Sequence, residues 1–107
     1  MPIAIVKLVT SLLGLFVVGV SNTATAADAQ TMKIYRSACM VCHASGVAGA
    51  PKFGDSAAWK PLQEKGMDGL MQVVLAGKGA MPPKGGATKA SAAELQAVVQ
   101  YMLDQVQ

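Results

Sequence analysis

Cys39-Met40-Val41-Cys42-His43 places two thiols three residues apart, with an imidazole directly after the second. Residues three and four apart share one face of a helix, so Cys39, Cys42 and His43 can address a single flat ligand. C-x-x-C-H is the pattern of a covalent haem attachment site. In that chemistry the two sulfurs bond to the vinyl carbons of the porphyrin, and His43 reaches the iron from one side.

Other uses of these residues fit the chain less well. A thioredoxin-like redox pair belongs in a βαβ context, and the chain shows no alternation of strand and helix. Zinc takes four ligands in a structural site, whereas the supply here ends at two cysteines and one histidine. A plain disulfide leaves His43 without a task. Haem attachment makes two demands of its own: export of the chain, and a second ligand for the iron.

The first demand is met by the leader. Lys7 is followed by an uncharged apolar run from Leu8 to Val20 and then by small residues ending in Ala24-Thr25-Ala26. A basic residue, an apolar run and an A-x-A site make a secretory signal peptide. We read residues 1–26 as a cleavable signal and residues 27–107 as one monohaem domain in the periplasm. The alternative is a retained membrane anchor facing the periplasm, since apolar residues also precede Lys7. A domain this small seldom holds together on its own core and usually needs a staple. Haem supplies one, adding apolar contact that Tyr35, Phe53, Trp59 and Tyr101 cannot provide alone.

Charge excludes little. The formal net charge is +3, and removal of Lys7 with the signal lowers it by one. Nothing in this balance implies nucleic acid. Lys52, Lys60, Lys78, Lys84 and Lys89 could steer an acidic partner if they cluster, or could simply be a solubilising surface.

The elements that must position the thiols follow from periodicity and punctuation. Met32, Tyr35, Ala38 and Cys42 recur at helical spacing, Asp28 is a suitable N-cap, and the resulting helix delivers the motif at its C-terminal end. Ala44 to Pro51 is rich in glycine and reads as a wrapping loop. A backbone carbonyl near Pro51 is the expected acceptor for the second ring N–H of His43, which a metal-bound histidine normally donates. Lys52 to Trp59 reads as irregular or weakly helical. The indole N–H of Trp59 either finds a haem propionate or merely packs. Leu70 to Leu75 forms a second helix that Gly77 and Gly79 end. Ser91-Ala92-Ala93-Glu94 is a capping box opening a third helix, whose Tyr101 is expected near Tyr35.

Between the last two helices lies Lys78-Gly79-Ala80-Met81-Pro82-Pro83-Lys84-Gly85-Gly86, which neither a helix nor a central strand tolerates. The prolines narrow the backbone freedom beside Met81, so less entropy is lost in holding its sulfur in place. Of the seven methionines, Met1 leaves with the signal, Met40 lies inside the attachment motif, and Met32, Met67, Met71 and Met102 fall in helical patterns. Met81 is therefore the expected second iron ligand.

Taken together, the attachment motif, Gly46-Val47-Ala48-Gly49-Ala50-Pro51-Lys52, Gly54-Asp55, Trp59 and Met81-Pro82-Pro83-Lys84-Gly85-Gly86 resemble the class I c-type cytochromes, and within them the cytochrome c5 family. The likeness covers nearly all of residues 27–107. One departure stands out: the family often carries a cysteine pair just after the Met-Pro loop, where this chain reads Ala87-Thr88-Lys89-Ala90.

The resemblance implies an all-α fold, three main helices and loops wrapped around one haem c bound through two thioethers. It implies a single-electron carrier working between redox protein partners of a respiratory or related chain, with no small-molecule substrate. Membrane contact would be transient or through partner complexes. Axial ligation by His43 and Met81 agrees, since it leaves no open iron site and the soft thioether favours ferrous iron. An enzymatic alternative is a haem peroxidase or gas sensor in which Met81 is displaced. Against it, the chain has no second histidine. A second alternative is a haem-free redox module with Cys39 and Cys42 as a disulfide.

Overall fold

A computed structural model describes residues 14–19 and 27–107. The signal-peptide reading lies mostly outside the described residues. Of that segment only Gly14 to Gly19 is described, and there Leu15, Phe16, Val17 and Val18 are 78–95 % exposed.

From Ala27 onward the described chain is helical. Asp28 caps the first helix by accepting the Thr31 N–H at 2.7 Å. The helix begins as α1 (Ala29–Ile34), passes through one π turn (Tyr35–Cys39) and continues as α2 (Met40–His43). Within the π turn the Met40 N–H bonds the Tyr35 carbonyl, five residues back. Such a turn accommodates an extra residue in a helix and is frequent at functional sites. Here it lies between Ile34 and Tyr35, which face the core, and the cysteines, which face a cavity.

A loop with a 3₁₀ turn at Val47–Gly49 leads to α3 (Ser56–Gln63), capped by Asp55. Within the stretch read as irregular or weakly helical, the helix begins at Ser56. Helix α4 (Gly66–Ala76) ends at Gly77, as its glycine signal implied. The Met81 loop and a turn at Pro83–Gly86 follow, and α5 (Ala92–Asp104) closes the fold. Both halves of the α5 capping box form: Glu94 N–H donates to Ser91 Oγ at 3.1 Å, and Ser91 N–H donates to Glu94 Oε1 at 3.1 Å.

Helices α1 and α4 both pack against α5, and α3 packs against α4. The core is built on Leu95 and Val98 of α5, each 2 % exposed, with Ile34, Leu70 and Met102 around them. Tyr35 lies 5.3 Å from Tyr101, ring to ring and edge-on, as expected, and 5.1 Å from Phe53. Burial of the Tyr35 side chain pushes its hydroxyl pKa up. The Gln30 side chain reaches Glu94 at 2.8 Å, tying the start of α1 to the start of α5. Among the described residues no helix is long and apolar enough to cross a membrane.

Candidate haem-binding site

Cys39, Cys42 and His43 occupy the end of the attachment helix, and Met81 sits in the loop after α4. All four line one cavity of about 790 Å³, so residues 38 positions apart in sequence meet at one space. Its walls are apolar side chains of the core helices, including Leu70, Val74, Leu95 and Val98. The sequence marked these as helix faces by their spacing, without showing that they face a ligand.

The two cysteines are partly buried and are not joined to each other. Burial pushes the Cys39 thiol up, only partly offset by a backbone hydrogen bond. A reactive redox dithiol needs the opposite, a thiol whose pKa is lowered by nearby positive charge or a helix N-terminus. These cysteines lie at a helix C-terminus, in an apolar recess. Among the described residues no group of three or more His, Cys, Asp or Glu side chains is placed to hold a free metal ion.

His43 is oriented from the loop side. Its Nδ1 lies 2.8 Å from the Pro51 carbonyl oxygen, the acceptor anticipated for it. The Phe53 N–H donates to the His43 carbonyl at 2.7 Å, so the loop returns onto the end of the attachment helix. Trp59 adds a third tie, its indole Nε1–H donating to the Lys52 carbonyl at 2.9 Å. The buried indole has a backbone partner that neither reading of Trp59 named, and its ring lies 6.0 Å from that of His43. Three bonds thus fix residues 51–53, and the imidazole with them.

Met81 is set by a tight turn. Lys78 and Met81 exchange two backbone hydrogen bonds, at 2.9 and 3.0 Å, around Gly79-Ala80. Gly77 makes this possible. Its φ of 79° with ψ of 164° is open essentially to glycine alone, and a Cβ there would stand 2.8 Å from both Met81 O and Pro83 N. The Pro83–Gly86 turn that follows packs on α4 and on the π turn, closing the loop over the attachment helix.

The donor set fits haem c. Two thiols three residues apart can form thioethers, an imidazole with one nitrogen engaged leaves the other free, and a methionine sulfur shares the recess. Apolar walls supply the dry surroundings a porphyrin needs. Fold and site together define a c-type cytochrome domain.

Comparison with known proteins gives the same answer. Residues 26–102 match the family described as "Cytochrome C oxidase, cbb3-type, subunit III". Cytochrome c-555 of Chlorobaculum tepidum is 43 % identical over 91 residues, 80 % of this chain and 84 % of that protein. Cytochrome c5 of Ectopseudomonas mendocina is 46 % identical over 66 residues, 60 % of this chain and 76 % of that protein. Among solved structures, the "Crystal structure of electron transfer complex of nitrite reductase with cytochrome c" contains a chain 55 % identical to this one. It superposes with a TM-score of 0.71 over 77 % of this chain and 100 % of that one. The chain belongs to the class I monohaem c-type cytochromes, the family of cytochromes c5 and c-555, whose members carry electrons on one covalently bound haem c.

Proposed function

We propose that this protein is a periplasmic single-electron carrier in which Cys39 and Cys42 hold one haem c by thioethers and His43 and Met81 fill its two axial positions. The observation that carries this reading is the convergence of those four side chains on one apolar cavity, with His43 Nδ1 already engaged by Pro51.

When bound, haem c supplies a one-electron ferric/ferrous couple. The residues of the chain do the rest. Cys39 and Cys42 fix the group in place, and the Pro51 carbonyl keeps the imidazole in one tautomer and one orientation. Met81 would supply the second iron ligand, and its thioether would withhold the metal from oxygen and peroxide. The core side chains exclude water, and the ties at residues 51–53 and 78–81 hold the pocket against rearrangement. No substrate is transformed at such a site, so the protein is a carrier and not an enzyme.

Residues 1–26 are a signal removed on export, and residues 27–107 are the working domain. Lys7, the uncharged apolar run from Leu8 to Val20 and the small residues Ala24-Thr25-Ala26 support this reading. The partners are redox proteins of a respiratory or related chain. Lys52, Lys65 and Lys78 stand beside the cavity and offer an acidic partner a positive rim. A nitrite reductase is the partner of the similar cytochrome c, which supports a protein partner without naming one for this chain.

Mass spectrometry of the exported protein, followed by an optical redox titration, tests this reading. The expected result is a chain starting near Ala27, heavier by one acid-resistant haem, with a single one-electron transition. An unmodified mass, or carbon monoxide binding readily to the ferrous form, would refute it.

A further inference from the structure

The Met81 loop runs into the Pro83–Gly86 turn, where Lys84 adopts a left-handed backbone (φ 58°, ψ 18°). A residue with a Cβ is strained there, and such strain persists only where surrounding contacts hold it. Two backbone bonds close the turn, from Gly85 N–H to Pro82 O at 2.9 Å and from Ala87 N–H to Lys84 O at 3.0 Å, and the residue's own side chain ties it to the chain beyond. Lys84 Nζ donates to the Ala90 carbonyl at 3.0 Å and, more weakly, to the Thr88 carbonyl at 3.4 Å.

The nearer acceptor lies on a fixed part of the fold. Ala90 is buried at 8 % exposure and directly precedes Ser91, the capping residue of α5. Ala87-Thr88-Lys89-Ala90 contains no cysteine, so no disulfide can tie this strap. A lysine head that binds two backbone carbonyls is also partly withdrawn from the surface, unlike those of Lys78 and Lys89, which are exposed residues.

We infer that Lys84 is a positioning residue for Met81: its ammonium clasps the Met-Pro loop to the start of α5 and keeps the thioether over the cavity. The inference rests on the reading of Met81 as an iron ligand. Charge-assisted hydrogen bonds to neutral acceptors are among the stronger individual contacts in a protein, and loss of this one lowers the cost of swinging the loop away.

Imidazole reads that cost directly, because it occupies the sixth position of ferric haem only when Met81 has left. Its apparent affinity is the intrinsic affinity multiplied by the open fraction. Three variants of the ferric holoprotein separate the contributions. Lys84→Met keeps the apolar stem and removes the ammonium. Lys84→Gly removes the ammonium and also relieves the left-handed backbone. Lys84→Arg keeps a cation with several donors.

Lys84→Met is expected to bind imidazole about tenfold more tightly than wild type, Lys84→Gly less tightly than Lys84→Met because relief of the left-handed backbone opposes the loss of the ammonium, and Lys84→Arg to return most of the Lys84→Met change. Wild-type affinity in Lys84→Met and Lys84→Gly, with the far-red thioether-to-iron band intact, would overturn the clasp. Absence of that band from the wild-type protein would instead overturn the ligation reading, and the clasp with it.

Discussion

His43 Nδ1 and the Pro51 carbonyl oxygen stand 2.8 Å apart, joining the last residue of the attachment helix to the loop that leaves it. A donated ring N–H makes the opposite nitrogen a stronger electron donor, which favours ferric iron. The carbonyl is held in turn by its neighbour: Lys52 O accepts the indole N–H of Trp59 at 2.9 Å.

Trp59→Phe keeps a ring and removes that donor. The Lys52 carbonyl loses its partner, and a cost of about 1–3 kcal/mol is expected in denaturant unfolding of the holoprotein. With residues 51–53 less firmly held, the histidine hydrogen bond weakens and the reduction potential should rise. A variant as stable as wild type with an unchanged potential would show that the indole does not position the loop.

One glycine before the turn that sets Met81 and one within it should respond differently to alanine. At Gly77 a Cβ would meet backbone at 2.8 Å, whereas at Gly79, with φ of 57°, nothing lies within 4 Å. Gly79→Ala should cost only the left-handed backbone penalty, about 1 kcal/mol. Gly77→Ala adds a backbone clash in a glycine-only region, so about 3 kcal/mol or more is expected. The same variant should weaken the far-red band, because the clash is with Met81 O itself. Equal losses at both positions would contradict the close approach.

Two carboxyls at helix starts make the fold sensitive to acid. The Thr31 backbone N–H holds Asp28 below its ordinary 3.8, and the Ser91 backbone N–H, followed by the Gln30 side chain, holds Glu94 below its ordinary 4.5. A carboxyl lowered in the folded state contributes its full stability above its unfolded value and loses it as pH falls through the folded one. Stability should therefore decline below pH 4.5 and further below 3.8. Glu94→Gln retains an amide for the capping box and removes one titration. Urea unfolding across that range should show a shallower decline for this variant, and an identical slope would remove Glu94 from the account.

Much of this was legible in the residues. Asp28, Ser91 with Glu94, and Gly77 mark helix ends through backbone groups they themselves satisfy or free, so purely local rules located them. The Pro51 acceptor and the gathering of Cys39, Cys42, His43 and Met81 at one cavity followed from what a haem-binding histidine and an open sixth position require. The features that escaped depend on distant partners. Nothing in Tyr35 to Cys39 signals a π turn, and the rings that Tyr35 packs against, Phe53 and Tyr101, are distant in sequence. The indole of Trp59 was read as reaching a propionate or merely packing, because its Lys52 acceptor depends on the loop's return. Helix α3 did carry a signal, Asp55 before Ser56, whose side chain accepts the Ala58 N–H at 3.3 Å. The role of Lys84 was hidden because its acceptors are main-chain carbonyls, which any sequence would offer.

The central claim is that Met81 sulfur completes the iron site opened by His43, and Met81→Ala in the exported holoprotein tests it most directly. Haem should stay attached through Cys39 and Cys42, the far-red band of the ferric wild type should vanish, and the potential should fall. A drop on the order of 100 mV is expected, at about 59 mV for each tenfold loss of preference for ferrous iron. An unchanged band and an unchanged potential would contradict the claim and place another ligand on the iron.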